Sequence, residues 1–248
     1  MPISLAHIRQ RYLIEAQPLD AVTESILAAD PRPGAKAILE AIAQRRFANR
    51  SEGQRLRKML RYENALWAKG ISNVAGIDEA GMSPLAGPVA AAAVIFKPGS
   101  RISGIDDSKK LSAAARNRLA VQIKESALAW SVCFAEVAEI DSMNIYWAGI
   151  LAMRRAVEGL GSPPGHLLID ARRIKDVDIE QQSIIGGDAK SLTIAAASIL
   201  AKTARDELMD KLDAQYPGYG FSKHKGYPVR EHVAALQRLG ASPIHRRS

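Results

Sequence analysis

The chain has 248 residues, of which 47% are hydrophobic, and its formal net charge is +8 at pH 7. No apolar run reaches the length of a membrane span and no signal-peptide pattern is visible, so we expect a cytoplasmic protein without a membrane partner. The single cysteine, Cys133, excludes an internal disulfide and a cysteine-based zinc site. Positive charge is concentrated at the two ends of the chain, which predicts a polyanionic partner.

Residues 1–70 have the pattern of helices and form a predicted basic N-terminal region. Apolar residues from Ile3 onward share one helical face, residues 30–34 are a break, and Ser51 is a candidate N-cap for a second helix. Most of the basic residues lie within 44–61. This stretch is either the solvated face of a helical pair or a phosphate-contacting helix, and the sequence leaves both interpretations open.

An apolar run over residues 74–77 is followed by two adjacent carboxylates, Asp78 and Glu79. A turn of Gly, Ser and Pro follows, and a second apolar run leaves it, which predicts a hairpin of two buried strands. Neighbours in a strand point to opposite faces, so one carboxylate faces the packed side unless the strand ends or twists there. The alternative is a strand that stops at Asp78 and leaves Glu79 solvated in the turn.

Two further acids follow apolar runs later in the chain. Asp170 ends a predicted strand over 167–170, and Asp188 precedes a predicted helix over 189–212. In a layered α/β fold the strand ends gather at one edge, where ligands collect. Converging carboxylates repel one another, and oxygen ligands suit Mg²⁺ or Mn²⁺ better than zinc. The acids therefore predict a metal site for phosphodiester chemistry, unless each caps its own strand or helix independently.

Other polar segments are candidates for substrate contacts. Lys109 and Lys110 lie in a loop ahead of a predicted helix that Ser112 can cap; isolated lysines are otherwise usually solvated. Lys225 and Tyr227 lie in a segment where basic and aromatic residues alternate, a pattern suited to nucleic acid.

Two more elements complete the prediction. A strand over residues 130–137 contains Cys133, which we interpret as a buried structural thiol. A helix that begins near Asp141, its candidate N-cap, extends to Leu160.

Taken together, these segments resemble the bacterial ribonuclease HII family, the type 2 ribonucleases H. They follow the family's order and cover residues 74–248 almost continuously, while residues 1–70 are similar to an extension found in some bacterial members. The matching segments are 75–89, 107–112, 140–145, 168–170, 187–206, 216–227 and 245–248.

The resemblance implies a ribonuclease H-like mixed sheet flanked by helices over 71–248, with a helical C-terminal extension from about residue 207. It implies a monomer that uses two Mg²⁺ or Mn²⁺ ions. Its substrates would be RNA–DNA hybrids and ribonucleotides embedded in duplex DNA, cut to leave 3′-hydroxyl and 5′-phosphate ends. The family's four catalytic, metal-holding acids correspond to Asp78, Glu79, Asp170 and Asp188. Its substrate-reading tyrosine corresponds to Tyr227.

One turn departs from the family. Members usually have Gly-Arg-Gly after the first acidic pair, where this chain has Gly81, Met82 and Ser83. In the family this turn meets the backbone around the ribonucleotide's 2′-hydroxyl, largely through main-chain groups. Met82 lacks the charged fork of arginine, and Ser83 adds a Cβ where glycine allows positive φ, so we expect altered junction recognition.

An active hybrid nuclease is the function that this sequence predicts. The alternatives are a catalytically weak nucleic-acid-binding member of the same fold and a different metal phosphohydrolase. Four mutually repelling carboxylates favour the active enzyme, because a binding protein has no physical need to keep them together.

Overall fold

The computed structural model describes residues 4–248, and its contacts divide the chain into two compact units, up to Arg55 and from Leu56 to Ser248. Ile3 lies outside the described residues. The two units are defined by contacts within the chain and do not test the predicted domain boundary. The division into domains 1–70 and 71–248 therefore stays a prediction. The first unit contains α1 (Leu5–Arg9), a π-helical turn (Gln10–Ile14), α2 (Ala21–Ala29) and most of α3 (Pro33–Met59). Its core is formed by Ile8, Tyr12, Leu19, Leu27, Ala35, Ile38 and Ile42.

Helix α3 is continuous, so the predicted N-cap at Ser51 is wrong. Ser51 lies inside the helix because no proline interrupts this segment. The interior Gly53 costs only about 1 kcal/mol relative to alanine. The break falls at Leu60 instead, and α4 (Arg61–Trp67) follows it.

The second unit is built on a five-stranded sheet in the order β3-β2-β1-β4-β5. β1 pairs antiparallel with β2 and parallel with β4, so the sheet is mixed, and helices cover both faces, which confirms the predicted α/β class. The strands are β1 (Val74–Ala80), β2 (Val89–Ile95), β3 (Ala129–Ala135), β4 (His166–Asp170) and β5 (Gln181–Ile184). The helices are α5 (Ala113–Ser126), α6 (Val137–Glu158), α7 (Leu192–Gln215), α8 (Phe221–His224) and α9 (Arg230–Leu239), with a 3₁₀ turn at Gly187–Ala189.

Ser112 caps α5 as predicted, since its hydroxyl accepts a hydrogen bond from the Ala115 amide at 3.2 Å. Cys133 is half-buried on β3, and burial raises the pKa of its thiol, which opposes a nucleophilic role. Among residues 4–248, none of the helices combines the length and the apolar character that crossing a bilayer requires.

Helix α6 begins earlier than predicted, and Asp141 is not its cap. Glu136 and Glu139 form a capping box at its start. The helix then breaks at Asn144, whose φ is 68° and ψ is 164°. The Asn144 side chain accepts a hydrogen bond from the Tyr146 amide at 3.0 Å and thereby restarts the helix. The Asp141 carboxylate instead accepts from the Arg247 amide at 2.8 Å.

Helix α7 lies against β1 at a distance that excludes any side chain at Gly76. A Cβ there would lie 2.1 Å from the Thr193 carbonyl carbon. Ile77, the next residue, faces the opposite layer and packs in the core formed with α6. Alternation along the strand therefore directs Asp78 toward α7 and Glu79 toward α6.

The N-terminus of α7 receives a fully buried carboxylate, Glu63 of α4. Its Oε1 accepts hydrogen bonds from the Ser191 hydroxyl at 2.6 Å and from the Thr193 amide and hydroxyl, both at 2.9 Å. Negative charge at a helix N-terminus also complements the helix dipole. Glu63 thus fixes the start of α7 and the 3₁₀ turn that precedes it.

A chain of histidines supports the loop that carries Tyr227. The Ser242 amide donates to Nδ1 of His245 at 2.9 Å, so the proton of this neutral ring lies on Nε2. That nitrogen donates to Nε2 of His232 at 3.0 Å, and Nδ1 of His232 donates to the Tyr227 carbonyl at 2.9 Å. A second proton on either ring would face a donor, which is the Ser242 amide at Nδ1 of His245 and the proton of His245 at Nε2 of His232, so this arrangement requires two neutral rings.

Glu63 generates a prediction about stability. Glu63→Ala removes the acceptor of three buried donors, of which one hydroxyl can then donate to the other, so we expect the free energy of unfolding to fall by about 3 kcal/mol. Glu63→Gln keeps an acceptor oxygen and should lose less than half of that amount. Urea unfolding measures both changes, with Glu125→Ala, an exposed glutamate on α5, as the control. Equal losses for Glu63→Ala and Glu63→Gln would contradict the assigned role of Oε1.

The histidine pair generates a prediction about pH. Burial lowers the pKa of both His232 and His245 below the ordinary value of 6.5. The unfolded chain therefore binds more protons than the folded chain as pH falls below about 6.5, and stability is lost in that direction. His245→Gln keeps a donor toward His232 and removes one titrating ring. We therefore expect the free energy of unfolding of this variant to fall less than that of wild type between pH 8 and pH 5.

Urea midpoints at the two pH values test this expectation. His166, whose pKa burial also lowers, is present in both proteins and cancels in the comparison. His7→Gln, a change at an exposed residue of α1, should behave like wild type. A loss for His245→Gln as large as that of wild type would show that the pair does not titrate as described.

Candidate active site

The four predicted acids lie at one edge of the sheet. Asp78 and Glu79 are near the end of β1, Asp170 is the last residue of β4, and Asp188 lies in the 3₁₀ turn. β1 and β4 are parallel, so their carboxyl ends meet. The charge of Asp170 acts on the pKa of each of the other three acids, which shows that they form one electrostatic cluster.

Asp78 is the most buried member of the cluster, with 4% of its surface exposed. Burial, followed by the charges of Glu79 and Asp170, raises its pKa well above the ordinary value. Hydrogen bonds from the Glu79 amide, at 2.7 Å, and from the Ser198 hydroxyl of α7 partly oppose this shift. The carboxylate is therefore held in a fixed orientation in which its negative charge is unfavourable.

Glu79 is also mostly buried, because β1 continues to Ala80 rather than stopping at Asp78, and the solvated alternative is wrong. Burial raises its pKa and Asp170 adds to the shift, while Arg172 opposes it. Nε of Arg172 donates to Oε1 of Glu79 at 3.2 Å. Oε2 is buried and has no hydrogen-bond partner among residues 4–248.

The 3₁₀ turn joins the last two acids. The Gly187 amide donates to Oδ1 of Asp170 at 2.7 Å, which holds Asp188 beside β4. Burial and the charge of Asp107 raise the pKa of Asp188, and Lys109, whose Nζ lies 3.5 Å from Oδ2, opposes the shift. Asp107 was not predicted as a site residue, although its place two residues before Lys109 was a usable signal.

Within residues 4–248, no group of three or more Asp, Glu, His or Cys side chains is arranged closely enough to hold a metal ion. Arg172 and Lys109 neutralise part of the charge instead. The donor set nevertheless fits a hard divalent cation, because every donor is an oxygen and Oε2 of Glu79 is a buried acceptor without a partner.

The turn beside the acids, residues 81–88, is folded around the guanidinium groups of Arg205, which is fully buried, and Arg246, which is half-buried. Arg205 of α7 donates to the carbonyls of Ala86 and Pro88, at 3.0 and 2.9 Å. Burial, followed by the charge of Arg205, lowers the pKa of Arg246 to about 10. The carbonyls that accept from Arg246 belong to Gly81 at 2.6 Å, Met82 at 3.2 Å, Pro84 at 2.9 Å, Gly87 at 2.9 Å and Pro88 at 3.3 Å.

The expectation that position 83 needs a positive φ is wrong. Ser83 is not among the residues of the described chain with positive φ, whereas Gly81 has φ of 97° and Gly87 has φ of 85°. A Cβ on Gly81 would lie 2.1 Å from Nε of Arg205, so this glycine is required. The left-handed positions of the turn are therefore already occupied by glycine.

Met82 directs its side chain inward, where the sulfur lies 3.1 Å from the position that a Cβ on Gly149 of α6 would take. No hydrogen bond within the described residues uses the amides of Met82 and Ser83. The turn thus offers two main-chain donors beside the acids and no charged side chain of its own.

The predicted lysines have different positions. Lys109 reaches the acids, whereas Nζ of Lys110 lies 3.3 Å from Asp106 and does not contact them. The Lys225 side chain pairs with Asp210 of α7. These contacts leave Lys109 as the lysine placed to act at the cluster.

Tyr227 is half-buried on the α7 side of the sheet. Nζ of Lys202 lies 5.5 Å from its ring centroid, and the guanidinium carbon of Arg205 lies 5.9 Å from it. The Leu85 amide donates to the Gly226 carbonyl at 2.9 Å, which ties the Tyr227 loop to the turn. Lys202 and Arg205 were not predicted; their spacing on one face of the long helix was the available signal.

The sequence and the fold both have known relatives. The family model "Ribonuclease HII" matches residues 75–248, and the model "Ribonuclease HII N-terminal domain" matches residues 5–67. The chain is 58% identical to a ribonuclease HII of Anaeromyxobacter sp. (strain Fw109-5), an alignment that covers 99% of this chain and 78% of the relative. It is 54% identical to a ribonuclease HII of Myxococcus xanthus, with 99% and 84% covered.

The crystal structure of ribonuclease H2 from Pyrococcus horikoshii OT3 is similar to this fold, with a TM-score of 0.60 and 26% sequence identity. The similarity covers 71% of this chain and 92% of that structure, and it confirms the ribonuclease H-like sheet. The match of a family model to residues 75–248 and the close bacterial relatives lead to one conclusion. The chain belongs to the ribonuclease HII family and is an enzyme of the ribonuclease H class.

Proposed function

We propose that this protein hydrolyses the RNA strand of RNA–DNA hybrids and cuts at ribonucleotides embedded in duplex DNA, leaving 3′-hydroxyl and 5′-phosphate ends. The observation that carries the proposal is the buried acid cluster of Asp78, Glu79, Asp170 and Asp188 beside a turn with free main-chain amides. Family membership supports the same chemistry.

In this proposal the four acids hold two divalent cations, Mg²⁺ or Mn²⁺. When bound, the ions would supply Lewis acidity at the scissile phosphodiester and make a nearby water more acidic. They would also offset the burial and the mutual repulsion that together raise the pKa of Asp78, Glu79 and Asp188. The unpartnered Oε2 of Glu79 supports this assignment, because a buried acceptor without a donor fits a cation ligand.

The residues around the acids would position the substrate. The amides of Met82 and Ser83 can donate to the ribonucleotide's 2′-hydroxyl, which is the group that separates RNA from DNA. Tyr227 would pack its ring beside the deoxyribose on the DNA side of the junction. The exposed side chains of Lys109 and Lys110 would supply positive charge for phosphates, and the half-buried Lys225, paired with Asp210, would add to it beside Tyr227.

Cleavage assays test the proposal directly. The substrates are a duplex with one embedded ribonucleotide, a continuous hybrid and an all-DNA duplex, each with Mg²⁺ and with a chelator. We expect the first two to be cut in Mg²⁺, with a 5′-phosphate on the downstream product, and no substrate to be cut in the chelator. Tight binding of the first two without cleavage would instead support the catalytically weak binding protein.

The acid cluster predicts how single substitutions separate activity from stability. Asp78→Asn and Asp170→Asn should each reduce cleavage by more than about 100-fold, because each removes a metal ligand. Stability should be unchanged or higher, because each removes one charge from a repelling cluster. Glu158→Gln, a change at an exposed carboxylate of α6, is the control. Near wild-type turnover in either Asn variant would refute the assignment of that acid.

The turn predicts a change in substrate preference. An arginine at position 82 cannot pack on Gly149 as the thioether does, so Met82→Arg should place a guanidinium beside the substrate. We expect about a ten- to hundredfold gain in kcat/KM on the one-ribonucleotide duplex, mainly through KM, the range for one charge-assisted hydrogen bond. The gain on a continuous hybrid should be smaller, because that substrate offers many registers.

Ser83→Gly is the matched control for this experiment, and it should have little effect because Ser83 does not take a positive φ. An equal gain on both substrates that is carried by kcat would show that the turn shapes the acid cluster. Recognition by residue 82 would then be abandoned.

A further inference from the structure

Two large aromatic side chains remain exposed where α6 restarts after its break. Tyr146 is 48% exposed and Trp147 is 37% exposed. Their ring centroids are 5.1 Å apart with an angle of 82° between the rings, an edge-to-face pair. Adjacent exposed aromatics on a folded surface commonly mark a binding site.

Each ring carries a cation from the loop that follows β4. The guanidinium carbon of Arg172 lies 5.2 Å from the centroid of Tyr146, and Nζ of Lys175 lies 4.4 Å from the centroid of Trp147. We call Tyr146, Trp147, Arg172 and Lys175 the aromatic platform. Its composition, rings interleaved with cations, suits a nucleic-acid strand, since rings pack on sugars or bases and cations meet phosphates.

Both parts of the platform are held in place by buried or hydrogen-bonded neighbours. Asn144 accepts from the amides of Tyr146 and Trp147, at 3.0 and 3.3 Å. In the loop, Ile174 is 2% exposed and exchanges two hydrogen bonds with the Gln181 side chain, each at 2.9 Å. The platform is therefore a prearranged surface, and binding would cost it little conformational entropy.

The platform is continuous with the acid cluster. Nε of Arg172 donates to Glu79 at 3.2 Å, while no hydrogen bond within the described residues uses its two terminal nitrogens. Glu79 points to the α6 face of the sheet. Tyr227 lies with Lys202 and Arg205 of α7, on the opposite face. The acids at the sheet edge thus lie between Tyr227 and the platform.

We propose that the aromatic platform binds the sugar–phosphate backbone of the substrate duplex on the flank opposite to the one that Tyr227 contacts. This inference rests on the proposed function. A duplex that crosses the sheet edge with its DNA junction at Tyr227 extends its 5′ flank, on the RNA side, over the α6 face. The platform then lengthens the footprint of the enzyme beyond the scissile phosphate.

The experiment compares KM and kcat on three duplexes with one ribonucleotide: a long duplex, one shortened on the 5′ side and one shortened on the 3′ side. For Tyr146→Ala with Trp147→Ala, we expect KM on the long duplex to rise about tenfold, as for lost base or sugar stacking, with kcat within twofold. The rise should persist on the 3′-shortened duplex and disappear on the 5′-shortened duplex. Tyr227→Ala should show the reverse pattern.

The chain supplies a matched control in Trp130. It is 40% exposed and has Nζ of Lys124 at 4.9 Å from its ring, but it pairs with Val94 near the start of β3, at the end of the sheet away from the acids. Trp130→Ala should leave KM unchanged on all three duplexes. Lys175→Gln, which removes charge without removing a ring, should lower the salt slope of binding by about 0.9 for one lost phosphate contact.

The outcomes separate the two proposals. If wild type binds but does not cut RNA-containing duplexes, the proposed function fails, and anisotropy with the same three duplexes still tests the platform through Kd. If wild type cuts and the double variant keeps its KM, the platform inference alone fails. An equal loss on both shortened duplexes would also overturn it, because that result would reflect general damage to the fold.

Discussion

The closeness of α7 to β1 is the constraint on which the rest of the catalytic unit depends. At Gly76 the helix backbone occupies the space of a side chain, so the two elements meet main chain to main chain. This contact lets Ser198 reach Asp78 and lets Arg205 enter the turn after β1. The buried carboxylate of Glu63 fixes the same helix at its start, directly after the turn that carries Asp188. Helix α7 therefore positions the acid cluster and the turn after β1.

The negative charges of the acid cluster are electrostatically unfavourable, and nearby cations partly neutralise them. Burial and mutual repulsion raise the pKa of Asp78, Glu79 and Asp188, and two cations, Arg172 and Lys109, offset part of this cost. In the proposed function, both cations would exchange a carboxylate for a phosphate when the substrate binds. The same side chains would then serve charge neutralisation and substrate attraction.

Most of the strands, and the meeting of the four acids at one edge of the sheet, could be predicted from the sequence. A strand that ends in a carboxylate is visible in a short stretch of sequence, because it needs only an apolar run followed by an acid. The break at Asn144 and the continuous helix through Ser51 could not, since local propensity is weak there and tertiary packing decides. The inward direction of Met82 depends on Gly149, which is distant in sequence. Likewise, the need for glycine at 81 rather than 83 follows from Arg205, whose contact no local pattern reveals.

Arg246 binds the carbonyl of Gly81 across a separation of 165 residues. The turn beside the acids therefore cannot reach its final shape until synthesis has passed α9 and the segment around Arg246 has docked. Loop closure over such a distance is among the last events expected in folding. A partly folded chain in which the four acids have already met can consequently still lack an ordered turn beside them.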